Sequence, residues 1–161
     1  MTAYSCSATL LFGAITAPQF LTVQPSAFEI KIARVEIGIN SSLPPAGSHY
    51  IGYVDLYRYA GGSTSGGTVV TSPPMRQGGP AATATVRSGG SISGTSSFYT
   101  RLMGEGPLAS QTYEFPYDHT VAPGSAFAVR ATSNLASGTS PPWVQIFLTV
   151  YYEELRLSWH Y

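Results

Sequence analysis

Hydrophobic and polar residues alternate along most of this chain, the pattern expected of half-buried β-strands. The clearest alternation covers residues 143–152, and a similar one covers residues 4–14. A third runs from Ala27 to Ile39, with a change of parity at Ala33-Arg34 that predicts a β-bulge. Shorter segments with strand character lie at residues 49–59, 68–71, 82–87, 97–103, 111–117 and 125–132.

Turn-forming residues separate these segments, and no window carries the 3.6-residue period of an amphipathic helix. The chain has 12 prolines and 17 glycines, many of them between residues 60 and 94. That region is either a flexible linker or a set of hairpins, and its recurring Val and Thr favour hairpins. The sequence therefore predicts an all-β fold: a jelly-roll-like antiparallel β-sandwich of about eight or nine strands, in one domain spanning residues 1–152.

A new alternation begins after Tyr152 and predicts a C-terminal strand or arm over residues 153–161. Its apolar residues either pack on their own sheet or add to a neighbouring subunit by strand augmentation. Trp and Tyr are common anchors of protein interfaces, and exposed apolar strands need to be covered. The candidate intersubunit contacts are Tyr4, Leu10 and Phe12 in the first strand and Leu155, Leu157, Trp159 and Tyr161 in the last.

The composition narrows the function classes. Charged residues make up 10% of the chain, against about 25% in an ordinary domain. The formal net charge is zero and Lys31 is the only lysine, so neither nucleic acid nor a membrane surface is an expected partner. No apolar run approaches the length of a membrane helix. The 11 tyrosines and seven arginines favour subunit interfaces, although a secreted β-domain with a Ser-, Thr- and Gly-rich surface is the alternative.

The residues that usually carry chemistry form no recognisable motif. Cys6 is the single cysteine, and no Cys/His spacing matches a zinc site. His49, His119 and His160 stand apart from any nucleophile motif, and the neighbouring Asp118-His119 pair is interpreted as a turn contact. We therefore expect no enzyme activity, no catalytic residues, no metal site and no cofactor.

Tyr53, Tyr57 and Tyr59 have the same parity in one predicted strand and form a candidate aromatic surface. Tyrosine rings on a sheet can stack on sugar rings, which would suit a carbohydrate-binding or receptor-binding module. They can equally pack on aromatic neighbours across strands, which stabilises sheets. Both interpretations stay open at this point.

Four segments, residues 33–40, 52–58, 61–68 and 122–131, carry a likeness to a known class of proteins. Together they resemble small structural proteins of tailed bacteriophages, of the capsid decoration or cement type, over roughly residues 27–152. The resemblance implies a β-sandwich that binds the outside of an icosahedral shell, with no cofactor and no catalytic residues.

The same resemblance implies the partners and the location. The chain is expected to be a homo-oligomer, with a trimer favoured, bound to the major capsid protein or other virion proteins. Its location is then the virion, assembled in the host cytoplasm. A receptor-binding tail tip and a small single-jelly-roll capsid subunit are the alternatives.

Overall fold

The computed structural model of the chain describes residues 2–12, 17–41, 51–105, 108–133 and 144–156. Over these residues the protein forms β-strands and no helix. The strands are β1 (Thr2–Phe12), β2 (Gln19–Gln24), β3 (Ile30–Ser41), β4 (Ile51–Ala60), β5 (Thr64–Ser65), β6 (Thr68–Val70), β7 (Thr85–Ser88), β8 (Ser91–Ile92), β9 (Thr95–Glu105), β10 (Leu108–Val121), β11 (Ala126–Ser133) and β12 (Val144–Glu154).

Two antiparallel sheets pack face to face as a sandwich, which confirms the predicted all-β class. One sheet has four strands in the order β1-β12-β3-β10, and the other has six in the order β6-β7-β2-β11-β4-β9. β5 and β8 pair separately as a short ribbon. The described part of the chain thus has twelve strands, whereas eight or nine were predicted. Strands as short as β5 and β8, with two residues each, are too short to show an alternating pattern.

The long strands pair in a nested order. β1 pairs with β12, β2 with β11, β3 with β10 and β4 with β9, always antiparallel. Successive pairs lie in alternate sheets, so the chain crosses between the sheets at each step along β1–β4 and again along β9–β12. Each half of the chain therefore contributes strands to both layers of the core.

The core lies between the sheets and is built from the predicted alternation. In β12, Val144, Ile146, Leu148, Val150 and Tyr152 are all buried. The long side chains of β3 and the inward residues of β4 and β11 meet them from neighbouring strands and from the opposite sheet. Full burial of one such side chain stabilises the fold by about 1.5–3 kcal/mol.

The predicted bulge in β3 is confirmed. Arg34 is opposite Tyr151 and Ile32 is opposite Tyr152, so Ala33 is the extra residue in the ladder. Without it, the inward period that begins at Ile30 and Ile32 could not resume at Val35. The bulge lets one continuous strand bury apolar residues on both sides of the irregularity.

β2 is the long strand that the sequence pattern did not predict. It is six residues long and lies between Pro18 and Pro25, which mark its ends. Leu21 and Val23 face the core and Thr22 is also buried. Because burial on both faces weakens the polar–apolar alternation, the segment gave no clear strand signal.

Residues 61–94 form strands and turns that close one side of the sandwich. Met75 donates its backbone N–H to Ala3 O at 2.9 Å, and Pro74 forms a bridge with Tyr4, so this segment covers the free edge of β1. The pairs β6–β7 and β5–β8 continue one another across the glycines at 66–67 and 89–90, which all have positive φ. A side chain at Gly67 would meet Ser88 O at 2.5 Å, so the bend requires glycine there.

The end of β12 fastens this segment to the sandwich. The Glu154 side chain is fully buried and accepts hydrogen bonds from the backbone amides of Thr83 (2.5 Å) and Ala84 (3.0 Å). Arg156 Nη2 donates to Glu154 Oε2 at 2.7 Å and to Ala81 O at 2.9 Å. β12 ends at Glu154, so it includes the first two residues of the segment that was predicted to be a C-terminal strand or arm.

Candidate interaction surface

The three tyrosines of the predicted aromatic surface lie on the outer face of the six-stranded sheet. They alternate along β4 with Val54 and Leu56, which point into the core and have no exposed area. Tyr57 and Tyr59 have ring centroids 6.0 Å apart. All three are partly exposed, as the strand period requires of residues opposite a buried set.

A bulge in β9 brings two further large side chains onto this face. Phe98 is opposite Tyr57 and Arg101 is opposite Asp55, so the ladder skips a residue between them. Residues three apart in a regular strand point to opposite sides, and the bulge removes this difference. Phe98 is 55% exposed, and its ring meets that of Tyr57 edge-on at 5.5 Å.

Asp55 and Arg101 form a bidentate ion pair across β4 and β9. Arg101 Nε donates to Asp55 Oδ1 at 2.6 Å and Nη2 donates to Oδ2 at 2.8 Å. Asp55 is 1% exposed, although its parity places it on the outer face. The Arg101 guanidinium also lies 5.3 Å from the Tyr53 ring centroid, so it contacts both the Asp55 carboxylate and an aromatic ring.

Arg130 completes the surface from β11. It is opposite Asp55 in the ladder, and its guanidinium lies 6.0 Å from the Tyr57 ring centroid. Its Nε is buried without a hydrogen-bond partner among the described residues. We call the whole set the tyrosine–arginine face; its members are Tyr53, Asp55, Tyr57, Tyr59, Phe98, Arg101 and Arg130.

The ionisation of this face is fixed by its contacts. The hydrogen bonds to Asp55, followed by its charge, raise the pKa of Arg101. Burial and the neighbouring Tyr57 raise the pKa of Tyr59, while Arg130 acts in the opposite direction. The Tyr59 hydroxyl therefore stays protonated and the Arg101 guanidinium stays charged around neutral pH. Beyond the Asp55–Arg101 pair, the face has one cation, Arg130.

The predicted intersubunit residues are divided between several places. Tyr4, Leu10 and Phe12 are at most 2% exposed and lie in the core of their own chain. These side chains pack within their own subunit, because their positions in β1 point them between the two sheets. Leu155 is partly exposed and donates its N–H to Glu29 O at 2.9 Å. Leu157, Trp159 and Tyr161 lie outside the described residues.

Of the cysteine and the three histidines, Cys6 and His119 lie within the described residues. The His119 ring lies 4.7 Å from the Tyr99 ring and 4.5 Å from the Phe115 ring. Burial, and then the charge of Arg58, lower the pKa of His119, so it is neutral near pH 7. Burial raises the pKa of the Cys6 thiol to about 12. His49 and His160 lie outside the described residues, as does the Asp118 side chain.

Cavities lie elsewhere on the described part of the chain. A cavity of about 530 Å³ lies between Thr2-Ala3 and residues 75–80, and Arg76 is the charged residue in its lining. Smaller ones lie beside Tyr151 and beside Phe147 on the four-stranded sheet. No group of His, Cys, Asp or Glu in the described ranges is arranged to hold a metal ion. These three cavities are separate from the tyrosine–arginine face.

Comparison of the chain with protein-family models, curated proteins and solved structures gave no significant match. Among the residues with a described structure, no helix has the length and apolar character needed to cross a bilayer.

Proposed function

We propose that the sandwich is a jelly roll and that the protein is a virion structural subunit, of the decoration or cement type. In this role it forms homo-oligomers and binds the major capsid protein or other virion proteins. Its place is the virion, assembled in the host cytoplasm, and its work is to reinforce contacts between shell subunits.

The nested pairing of strands supports the jelly-roll assignment. A jelly roll folds eight strands as two Greek keys, and capsid domains are a frequent use of this architecture. The pairs β1–β12, β2–β11, β3–β10 and β4–β9 in alternate sheets follow from such a fold. The short strands β5–β8 are then an insertion between the fourth and fifth strands of the roll.

The tyrosine–arginine face is the observation that carries the functional proposal, since a fold alone does not specify a function. Tyr, Phe and Arg are enriched at the centres of protein interfaces, whereas Lys and Glu are depleted. Here these residue types lie together on the outer side of a sheet whose inner side supplies Val54, Leu56 and Val129 to the core. An aromatic face with a single unpaired cation suits contacts between proteins better than catalysis.

A carbohydrate- or receptor-binding module, such as a tail tip, is the second candidate. It is favoured by Phe98, whose ring is 55% exposed beside Tyr57 and offers a stacking platform. Jelly rolls also occur in lectins. A small single-jelly-roll capsid subunit would use the same fold and differs in its position within the particle.

The test is binding to shells of the virus that carries this chain. Purified protein is mixed with shells that lack it and sedimented, and the bound fraction is measured against concentration. We expect saturable binding at a fixed number of copies per shell, and a higher temperature of shell disruption. Absence of the protein from native particles together with no binding to shells contradicts the proposal. Binding to a glycan array that weakens with Tyr57→Ala would favour the second candidate.

A further inference from the structure

We infer that the tyrosine–arginine face is a self-association surface that packs on the same face of a second copy about a two-fold axis. This deepens the proposed function and rests on it, because an assembly subunit must meet other copies. It differs from the trimer that the family resemblance implies.

Charge on this face does not oppose burial. Asp55 is 1% exposed and already paired through two hydrogen bonds with Arg101. A partner that covers the pair therefore pays little further desolvation cost on the carboxylate, which is the usual penalty for burying an ion. Arg130 is the one cation of the face beyond this pair, so each copy brings a single unpaired positive charge to the contact, and tyrosine hydroxyls of the other copy can accept hydrogen bonds from it.

The chemistry of the face is self-complementary. A contact about a two-fold axis joins one patch to an identical patch, so every donor must find its acceptor on the same kind of surface. Tyrosine hydroxyls both donate and accept, and they can accept from the guanidinium of Arg130. Aromatic rings such as those of Tyr57 and Phe98 also pack on one another. A closed trimer would instead need two different complementary patches.

The size of the face suits a protein partner. The three strands β11, β4 and β9 span about 14 Å at a spacing of about 4.8 Å, and eight residues extend about 27 Å. The projected area is about 400 Å², and projecting side chains increase the area accessible to a partner. A standard interface buries about 800 Å² on each side. The face can therefore supply about half of one such interface and is much wider than a sugar ring.

The test is the mass of the full chain in solution, measured by sedimentation equilibrium over a wide concentration range. We expect a monomer–dimer equilibrium for the unchanged protein. Phe98→Asp removes an exposed aromatic ring from the face and places a carboxylate of each copy in the contact, where it loses water, so its dimer should dissociate at least about thirtyfold more readily. Phe98→Ser, which adds no charge, should have a smaller effect in the same direction.

Phe147→Asp is the matched control. Phe147 is 42% exposed on the outer face of the opposite sheet, so its replacement should leave the dimer unchanged. Circular dichroism and thermal unfolding of each variant show whether the sandwich is retained. A monomer at every concentration, a trimer, or equal weakening by Phe147→Asp and Phe98→Asp would each overturn the two-fold contact.

Shell binding separates this inference from the proposed function. If the unchanged protein is monomeric in solution yet binds shells saturably, the self-association surface is wrong and the virion role stands. If it dimerises through this face but neither binds shells nor occurs in particles, the self-association stands and the virion role is wrong.

Discussion

Glu154 provides a sharp test of how the 71–84 segment is held against the sandwich. The change is Glu154→Ala. It removes the acceptor of two backbone amides, those of Thr83 and Ala84, and of the Arg156 guanidinium. The side chain has no exposed surface, so the groups left behind lose their partner in a place that water reaches poorly.

The expected loss of stability can be worked out from these contacts. Each buried donor left without an acceptor costs about 1–3 kcal/mol, and breaking a buried ion pair costs about 3–5 kcal/mol in all. Arg156 is 28% exposed and can regain water, which limits its share. We therefore expect Glu154→Ala to lower the free energy of unfolding by about 3–5 kcal/mol, a large part of a typical total.

Glu36→Ala is the matched control. Glu36 pairs with Arg34 at 3.3 Å and accepts a hydrogen bond from the Tyr151 hydroxyl, but its side chain is 37% exposed. Surface pairs of this kind contribute about 0–1 kcal/mol. Urea denaturation gives both values, and trypsin cleavage at the exposed Arg76 reports release of the segment. Equal costs for the two variants, with no change in cleavage, would refute the reasoning.

The same carboxylate predicts a pH dependence. Burial alone would raise the pKa of Glu154, but hydrogen bonds from Arg156, Ala84 and Thr83 outweigh it and lower the pKa. The unfolded state then binds the proton more tightly, so this stability is present above the ordinary carboxyl value of 4.5 and is lost as pH falls through the folded pKa. The stability difference between the unchanged protein and Glu154→Gln should shrink over that acidic range.

Three further predictions concern the backbone, the core and the thiol. Gly67→Ala should lower the melting temperature much more than Gly78→Ala does. Both glycines have positive φ, but only at Gly67 would an added Cβ lie 2.5 Å from a backbone oxygen. Similar shifts in melting temperature for the two variants would contradict this. Leu148→Ala should cost about 2–5 kcal/mol in urea denaturation, and Leu11→Ala, 46% exposed, under about 1 kcal/mol. Cys6, with its pKa raised to about 12 by burial, should react with a thiol reagent only after unfolding; rapid reaction in the native state would refute its burial.

Local pattern was sufficient for several elements. The alternation in β1 and β12 correctly placed their inward residues, because one face of each strand is much more buried than the other. The parity change at Ala33-Arg34 correctly located a bulge, since the apolar set had to return to the core side after it. In both cases the information lies within a few neighbouring residues.

The composition of the tyrosine–arginine face depended on information that local pattern lacks. Asp55 and Arg101 are 46 residues apart and meet only because β4 and β9 are adjacent. Phe98 and Arg101 share a face only because of the bulge between them. The tyrosines of β4 could be predicted as one surface, but their partners on β9 and β11 required the order of strands in the sheet.

The nested pairing has a consequence for how the protein is made. β1 is synthesised first among these strands, and its partner β12 is synthesised last. During translation β1 therefore has no strand partner, and Tyr4, Leu10 and Phe12 stay uncovered until almost the whole sandwich has left the ribosome. Sheets closed by such distant pairings form slowly, and uncovered strand edges are prone to aggregate. A truncated chain lacking β12 should therefore be a substrate for chaperones and proteases rather than a partly working subunit.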